Sequence, residues 1–254
     1  MQRLRPALFA SLTHLAGSFL VALACAALVF LLWYPYPYGE LVGGRELFLL
    51  VVSVDVVCGP LLTLIVFNPS KPRQELWRDI GIVVLLQLGA LGYGIGSVIQ
   101  ARPVFLAFEG DRFRVVSVPD IDLGDIDRAP ASLQKLSLTG PRVLGVRLAT
   151  GSEPDYRQSI SLALEGLHPA FRPSRWVEYD TQREFVRAEL KPLTQLAMRY
   201  PSQRPLFDEA VNRAGTGLGK LGYLPLIAGS HSDWVVIVSL DDGQPKGFLP
   251  LDGW

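Results

Sequence analysis

Three long apolar runs separated by short polar loops fill the first hundred residues, and mixed segments punctuated by turn residues follow. Leu15 to Tyr34, Leu47 to Phe67 and Ile80 to Ile99 are each long enough to cross hydrocarbon at about 20 residues per helix. They predict three transmembrane helices over 15–99, preceded by an N-terminal segment 1–14 and followed by a soluble domain 100–254. That tail is long enough for a core of its own. Val104–Glu109 and Arg112–Val118 are β-rich and meet at Gly110-Asp111, which predicts a hairpin. Arg142–Ala149 and Trp234–Leu240 read as further strands, and Gly247–Leu251 closes a meander after Asp241-Asp242-Gly243. Thr181–Tyr200 has helical spacing that Pro192 should break, and Pro205–Ala214 is a helix with proline in its first turn. The fold expected is an α-helical membrane region followed by an α+β domain around an antiparallel sheet.

Charge orients the spans. Arg3 and Arg5 precede the first, Lys71, Arg73 and Arg78 separate the second from the third, and the intervening loop holds only Arg45 between Glu40 and Glu46. The excess of Lys and Arg marks the cytoplasmic side. It places the N-terminus in the cytoplasm and the C-terminal domain outside it, in the periplasm if the membrane is a bacterial inner membrane. A cleaved signal peptide is the alternative for the first run, with Arg3 and Arg5 as its basic end and Ala22-Leu23-Ala24 as a cleavage site. The length of the run and its aromatic end, Trp33-Tyr34-Pro35-Tyr36-Pro37-Tyr38, favour a retained span. Lipidation of Cys25 needs a lipobox, which Leu23 fits poorly.

Within the second span, Asp55, Gly59 and Thr63 recur every four residues and so share one helix stripe. A carboxylate at a helix centre in hydrocarbon costs about 2.5–3.5 kcal/mol on insertion scales, so Asp55 needs an explanation. Pro60 lacks an amide hydrogen and favours a kink beside it. On the third span Gln87, Ala90, Gly94 and Ser97 form a comparable face, and Gly92 with Gly96 forms a small pair beside it. The two faces can pack with Gln87 hydrogen-bonded to Asp55. Three readings stay open for Asp55: a satisfied packing residue, a contact for a partner helix, or a station for ion or proton movement. A transporter would be expected to carry more ionisable groups in its spans.

Composition removes several classes. Twenty-four basic and twenty-four acidic residues cancel, and no basic block exists to attract nucleic acid. Cys25 and Cys58 both lie in apolar runs, so the tail has no disulfide framework or cysteine zinc site. Asp120, Asp122, Asp125 and Asp127 form an acidic loop without the spacing of a calcium-binding EF-hand, and whether it holds an ion stays open. Gly215-Thr216-Gly217-Leu218-Gly219-Lys220 lacks the first glycine and the final Ser or Thr of a phosphate loop and reads as a turn. Ser230-His231-Ser232-Asp233 has the residue types of a hydrolase triad but no nucleophile elbow. No metal, cofactor or catalytic residue is therefore assigned.

One long block resembles a known family. Tyr34-Pro35-Tyr36-Pro37-Tyr38, Gly43-Gly44-Arg45-Glu46-Leu47, Val54-Asp55-Val56, Gly59-Pro60-Leu61-Leu62-Thr63 and Phe67-Asn68-Pro69 carry the likeness through the first two spans. Arg78-Asp79, Leu86-Gln87, Tyr93-Gly94, Ala101-Arg102-Pro103 and Phe108-Glu109 continue it into Asp111–Val116, and Gly247–Asp252 closes it. At these residues the chain resembles the TfpX/TfpZ family of type IV pilin accessory proteins. The resemblance implies a non-enzymatic, chaperone-like inner-membrane protein that helps its cognate pilin form pili. Its partners would be that pilin, other pilus assembly proteins and membrane lipid. A pilin awaiting assembly sits in the membrane through an apolar helix with a glutamate near its N-terminus, its head in the periplasm. Asp55, Gly59, Thr63, Gln87 and Gly94 are the candidate partner-binding residues. The alternative is a membrane-bound periplasmic enzyme, a hydrolase or pilin-modifying transferase.

Overall fold

All three apolar runs are helical in the computed structural model, which describes residues 4–152, 156–229 and 231–254. Arg3, part of the charge asymmetry, and Ser230, which opens the triad-like run, lie outside the described residues. Two compact units result, Met1–Arg102 and Pro103–Trp254.

In the first unit, α1 (Leu4–Leu28) starts well before Leu15 and continues as a π-helical turn, Val29–Trp33. That turn closes with the Tyr34 amide donating to the Val29 carbonyl at 2.8 Å. Pro35 and Pro37 prevent the helix from continuing. A short α2 (Tyr38–Leu41) leads through Gly43, whose φ of 69° suits a glycine, into α3 (Gly44–Val66) and then α4 (Arg73–Gln100). Each of the three long helices has the length and composition to cross a membrane. Tyr34 fastens their far ends together. Its ring is 1 % exposed, its hydroxyl donates to the Val98 carbonyl at 2.7 Å, and Gly44 makes room for it. A Cβ at Gly44 would lie 2.3 Å from the Tyr34 ring.

The second unit is built on one sheet. Its strands are β1 (Pro103–Phe108), β2 (Phe113–Ser117), β3 (Arg142–Val146), β4 (Trp176–Glu178), β5 (Lys191–Pro192), β6 (Leu221–Ala228), β7 (His231–Ser239) and β8 (Pro245–Leu249). They lie in the order β4-β3-β1-β2-β6-β7-β8, with β5 also paired to β6. The hairpin at Gly110-Asp111 forms as expected, with Phe108 opposite Phe113.

The sheet is mixed, which corrects the antiparallel expectation. β1 pairs with β3 in parallel and β2 with β6 in parallel, while the other pairs are antiparallel. The reason lies in the connections. After the β1–β2 hairpin, residues 118–141 carry the chain to the far side of β1, so β3 runs in the direction of β1. Such a return needs a long connection, and this one is long enough. The central β1 is buried at every position and reads as an unbroken apolar run, as strands covered on both faces do.

After α5 (Tyr156–Leu164), Pro192 does break the predicted helix: α6 (Arg183–Glu189) and α7 (Leu193–Arg199) flank β5. Two cores result. Phe105, Leu144 and Trp176 centre one, and Leu196, Phe207, Val235 and Ile237 the other, where α8 (Arg204–Ala214) packs.

Candidate partner-binding groove

Asp55 stands midway along α3, and its partner is Gln87 on α4. Gln87 Nε2 donates to the Asp55 carbonyl at 3.0 Å and to Oδ1 at 3.2 Å. Gly59 permits this contact, because a Cβ there would come within 1.9 Å of Gln87 Nε2. Gln87 Oε1 is buried without a hydrogen-bond partner. A turn further along α3, the Ser11 hydroxyl on α1 donates to the Pro60 carbonyl at 2.8 Å, and His14 Nδ1 lies 2.5 Å from Thr63 Oγ1. Four of the predicted residues, Asp55, Gly59, Thr63 and Gln87, are thus brought together. Gly94 is engaged elsewhere, packed against Val51, to which a Cβ would approach within 2.4 Å.

These helices leave a cavity of about 620 Å³ open along one side. Its walls are apolar, supplied by Phe9, Val21, Phe67, Val84 and Leu91 among others, but Thr13, His14, Ser18, Asp55, Thr63 and Gln87 also face it. Pockets of 300–1,000 Å³ with few polar groups are the usual form of a binding site. In hydrocarbon such groups act by hydrogen bonding to an occupant that would otherwise leave its own polar atoms unpaired.

Sequence reasoning missed His14 and Ser11. Both precede the expected start of the span, and the signal that locates them is their helical phase with Ser18 and Val21 within an otherwise apolar α1.

The other candidates resolve into local structure. Asp120 accepts from the Ser117 amide at 2.8 Å, and burial raises the pKa of its carboxyl. Asp122 accepts from the Gly124 amide at 3.2 Å. Asp125 accepts from the Ser174 amide at 2.9 Å and pairs with Arg128 at 3.3 Å. Burial pushes the Asp125 carboxyl up, but these hydrogen bonds and the Arg128 charge outweigh it and hold the pKa below the ordinary value. No group of three His, Cys, Asp or Glu is placed to hold a metal ion among the described residues. Gly215 caps α8 at φ 65°, and Leu218–Lys220 is a 3₁₀ turn into β6. His231 and Asp233 face each other at 3.6 Å, both exposed at the start of β7, while the Ser232 carbonyl accepts from the Trp254 indole at 3.2 Å.

A buried ion pair in the second unit was also illegible in the sequence. Arg114 Nε donates to Glu109 Oε2 at 2.9 Å, and Glu109 Oε1 accepts from the Ala170 amide at 3.3 Å. The His168 ring lies near both and stacks edge-on against Phe171.

Three apolar helices with a polar-lined groove, followed by a mixed-sheet unit, define a multi-pass membrane protein. The family model for the fimbrial assembly protein FimB matches residues 2–43, from α1 through α2. The fimbrial assembly protein of serogroup E1 of Dichelobacter nodosus is 35 % identical over 226 residues, covering 89 % of this chain and 88 % of that protein. The serogroup I protein of the same organism is 34 % identical over the same shares. The protein of serogroups C1 and C2 is 41 % identical over 116 residues, 46 % of this chain and 88 % of that protein. No solved structure matches. The chain belongs to the fimbrial assembly protein family, in agreement with the type IV pilus accessory resemblance. Membership supports a role in pilus assembly.

Proposed function

We propose that this protein assists type IV pilus assembly by holding its cognate pilin in the inner membrane before polymerisation. The observation that carries this reading is the open groove, whose polar residues lie on helices apolar enough to cross a membrane in a chain related to fimbrial assembly proteins. The pilin's transmembrane helix lies along the groove. With both N-termini on the cytoplasmic side, the glutamate near the start of the pilin helix falls at the depth of His14 and Thr63, which offer it hydrogen bonds. The unit after Arg102 meets the pilin head in the periplasm, and the two contacts reinforce each other as linked sites. The protein acts by binding, without turnover. The test is co-purification from detergent with the cognate pilin and with a pilin of another strain. Retention of the cognate pilin, weakened by Asp55→Asn at normal protein level, is the expected result. Equal retention of both pilins, unaffected by the substitution, would overturn the reading.

A further inference from the structure

A second cavity, of about 430 Å³, opens where α1 ends and α3 begins, at the ends of two helices long and apolar enough to cross a membrane. Phe30 and Phe48 form its inner wall, edge to face with centroids 5.2 Å apart. Tyr34 forms its floor, fixed by its bond to the Val98 carbonyl and by the space at Gly44. Tyr36, 62 % exposed, forms the lip. Aromatic side chains therefore line much of the cup.

Its mouth carries opposite charges. Glu40 and Arg45 line it 3.9 Å apart, with side chains 52 % and 62 % exposed. An exposed pair at this spacing is worth at most about 1 kcal/mol, so the two charges can part to meet a ligand at little cost. They complement a ligand bearing a cation and an anion a few ångströms apart. Aromatic faces add attraction for the cation. At headgroup depth the molecule with that charge pattern and an apolar continuation is a zwitterionic phospholipid.

We propose that this aromatic cup binds the headgroup of an aminophospholipid of the phosphatidylethanolamine type. Arg45 meets its phosphate, and Glu40 accepts from its primary ammonium. Phosphatidylglycerol would satisfy Arg45 but confront Glu40 with no cation. The proposal holds for either membrane leaflet and does not depend on the pilin reading.

Native mass spectrometry of the full-length protein in detergent, titrated with phosphatidylethanolamine and phosphatidylglycerol, tests it. The wild type should retain phosphatidylethanolamine about tenfold better, the worth of one charge-assisted hydrogen bond. Glu40→Gln should bring the two lipids level, and Arg45→Gln should lower both. Glu46→Gln, an exposed carboxylate outside the cup, should leave the preference intact. Thermal melts of each variant identify any that fails to fold, and Glu40→Ala then serves as the replacement for Glu40→Gln, with the same loss of preference expected. Equal retention of the two lipids by the wild type, or an undiminished preference in folded Glu40→Gln, would overturn the proposal.

Discussion

Replacing Gly59 by alanine should separate α3 from α4 at the Asp55 contact. The new Cβ would stand 1.9 Å from Gln87 Nε2, 2.4 Å from Cδ and 2.5 Å from Oε1, so the whole amide must move. Gln87 is 9 % exposed but lines the groove, so its amide can swing aside only by giving up both bonds to Asp55. Interhelical hydrogen bonds in membranes average about 0.6 kcal/mol and reach about 1.7. Overpacking costs about 1–3 kcal/mol, and here it lies at the low end because the amide can give way towards the groove. A destabilisation of about 2–4 kcal/mol follows from these two contributions. Gln87→Ala empties the space the methyl needs, so in that background Gly59→Ala should cost less than about 1 kcal/mol, a coupling typical of residues in contact. Reversible unfolding in mixed detergent micelles of the wild type, both single variants and the double variant measures the cycle. Equal costs of Gly59→Ala in the two backgrounds, or no cost in the wild type, would refute the packing argument.

Glu109→Ala leaves Arg114 buried and unpaired, and should destabilise the second unit by about 3–5 kcal/mol in chemical denaturation, far more than Asp180→Ala at its exposed pair with Arg183. Burial, and then the Arg114 charge, lowers the pKa of His168 from its ordinary 6.5, with Arg112 adding to the effect and Glu109 opposing it. Above 6.5 the ring is neutral in both states; as pH falls through that value the unfolded chain takes the proton first, so stability is lost on the acid side. His168→Gln should flatten that loss in melts between about pH 5 and 7. If the protein acts by binding, His231→Ala and Ser232→Ala should each leave surface piliation near wild type and pilin mass unchanged, and loss of pili from a stably folded variant would point to an enzyme.

The three spans were legible because hydropathy alone marks them, and the Asp55–Gln87 contact because helical spacing put the polar and small residues of α3 and α4 on facing stripes. The N-terminal limit of α1 was not, since Ser11, Thr13 and His14 look like a polar flank until α3 supplies partners for Ser11 and His14. In the second unit, Gly110 and Pro192 act locally and their effects could be read directly. The strand β6 was hidden by Gly222 and Pro225, which argue against a strand interior. Pro225 fits because its neighbour on one side is β7, at Val235, while β5 pairs at 222–223 and β2 at 226–227, leaving Pro225 between them. The parallel pairs depend on where residues 118–141 deliver the chain, and no local pattern records that.

Site-specific photo-crosslinking in living cells addresses the pilin contact most directly. A photoreactive residue at Val84 faces the groove, whereas one at the adjacent Leu85, 71 % exposed, projects from α4 outside the groove lining. The account predicts a pilin adduct from Val84 and none from Leu85. Equal adducts from both positions, or none from Val84 while the pilin still co-purifies, would contradict it.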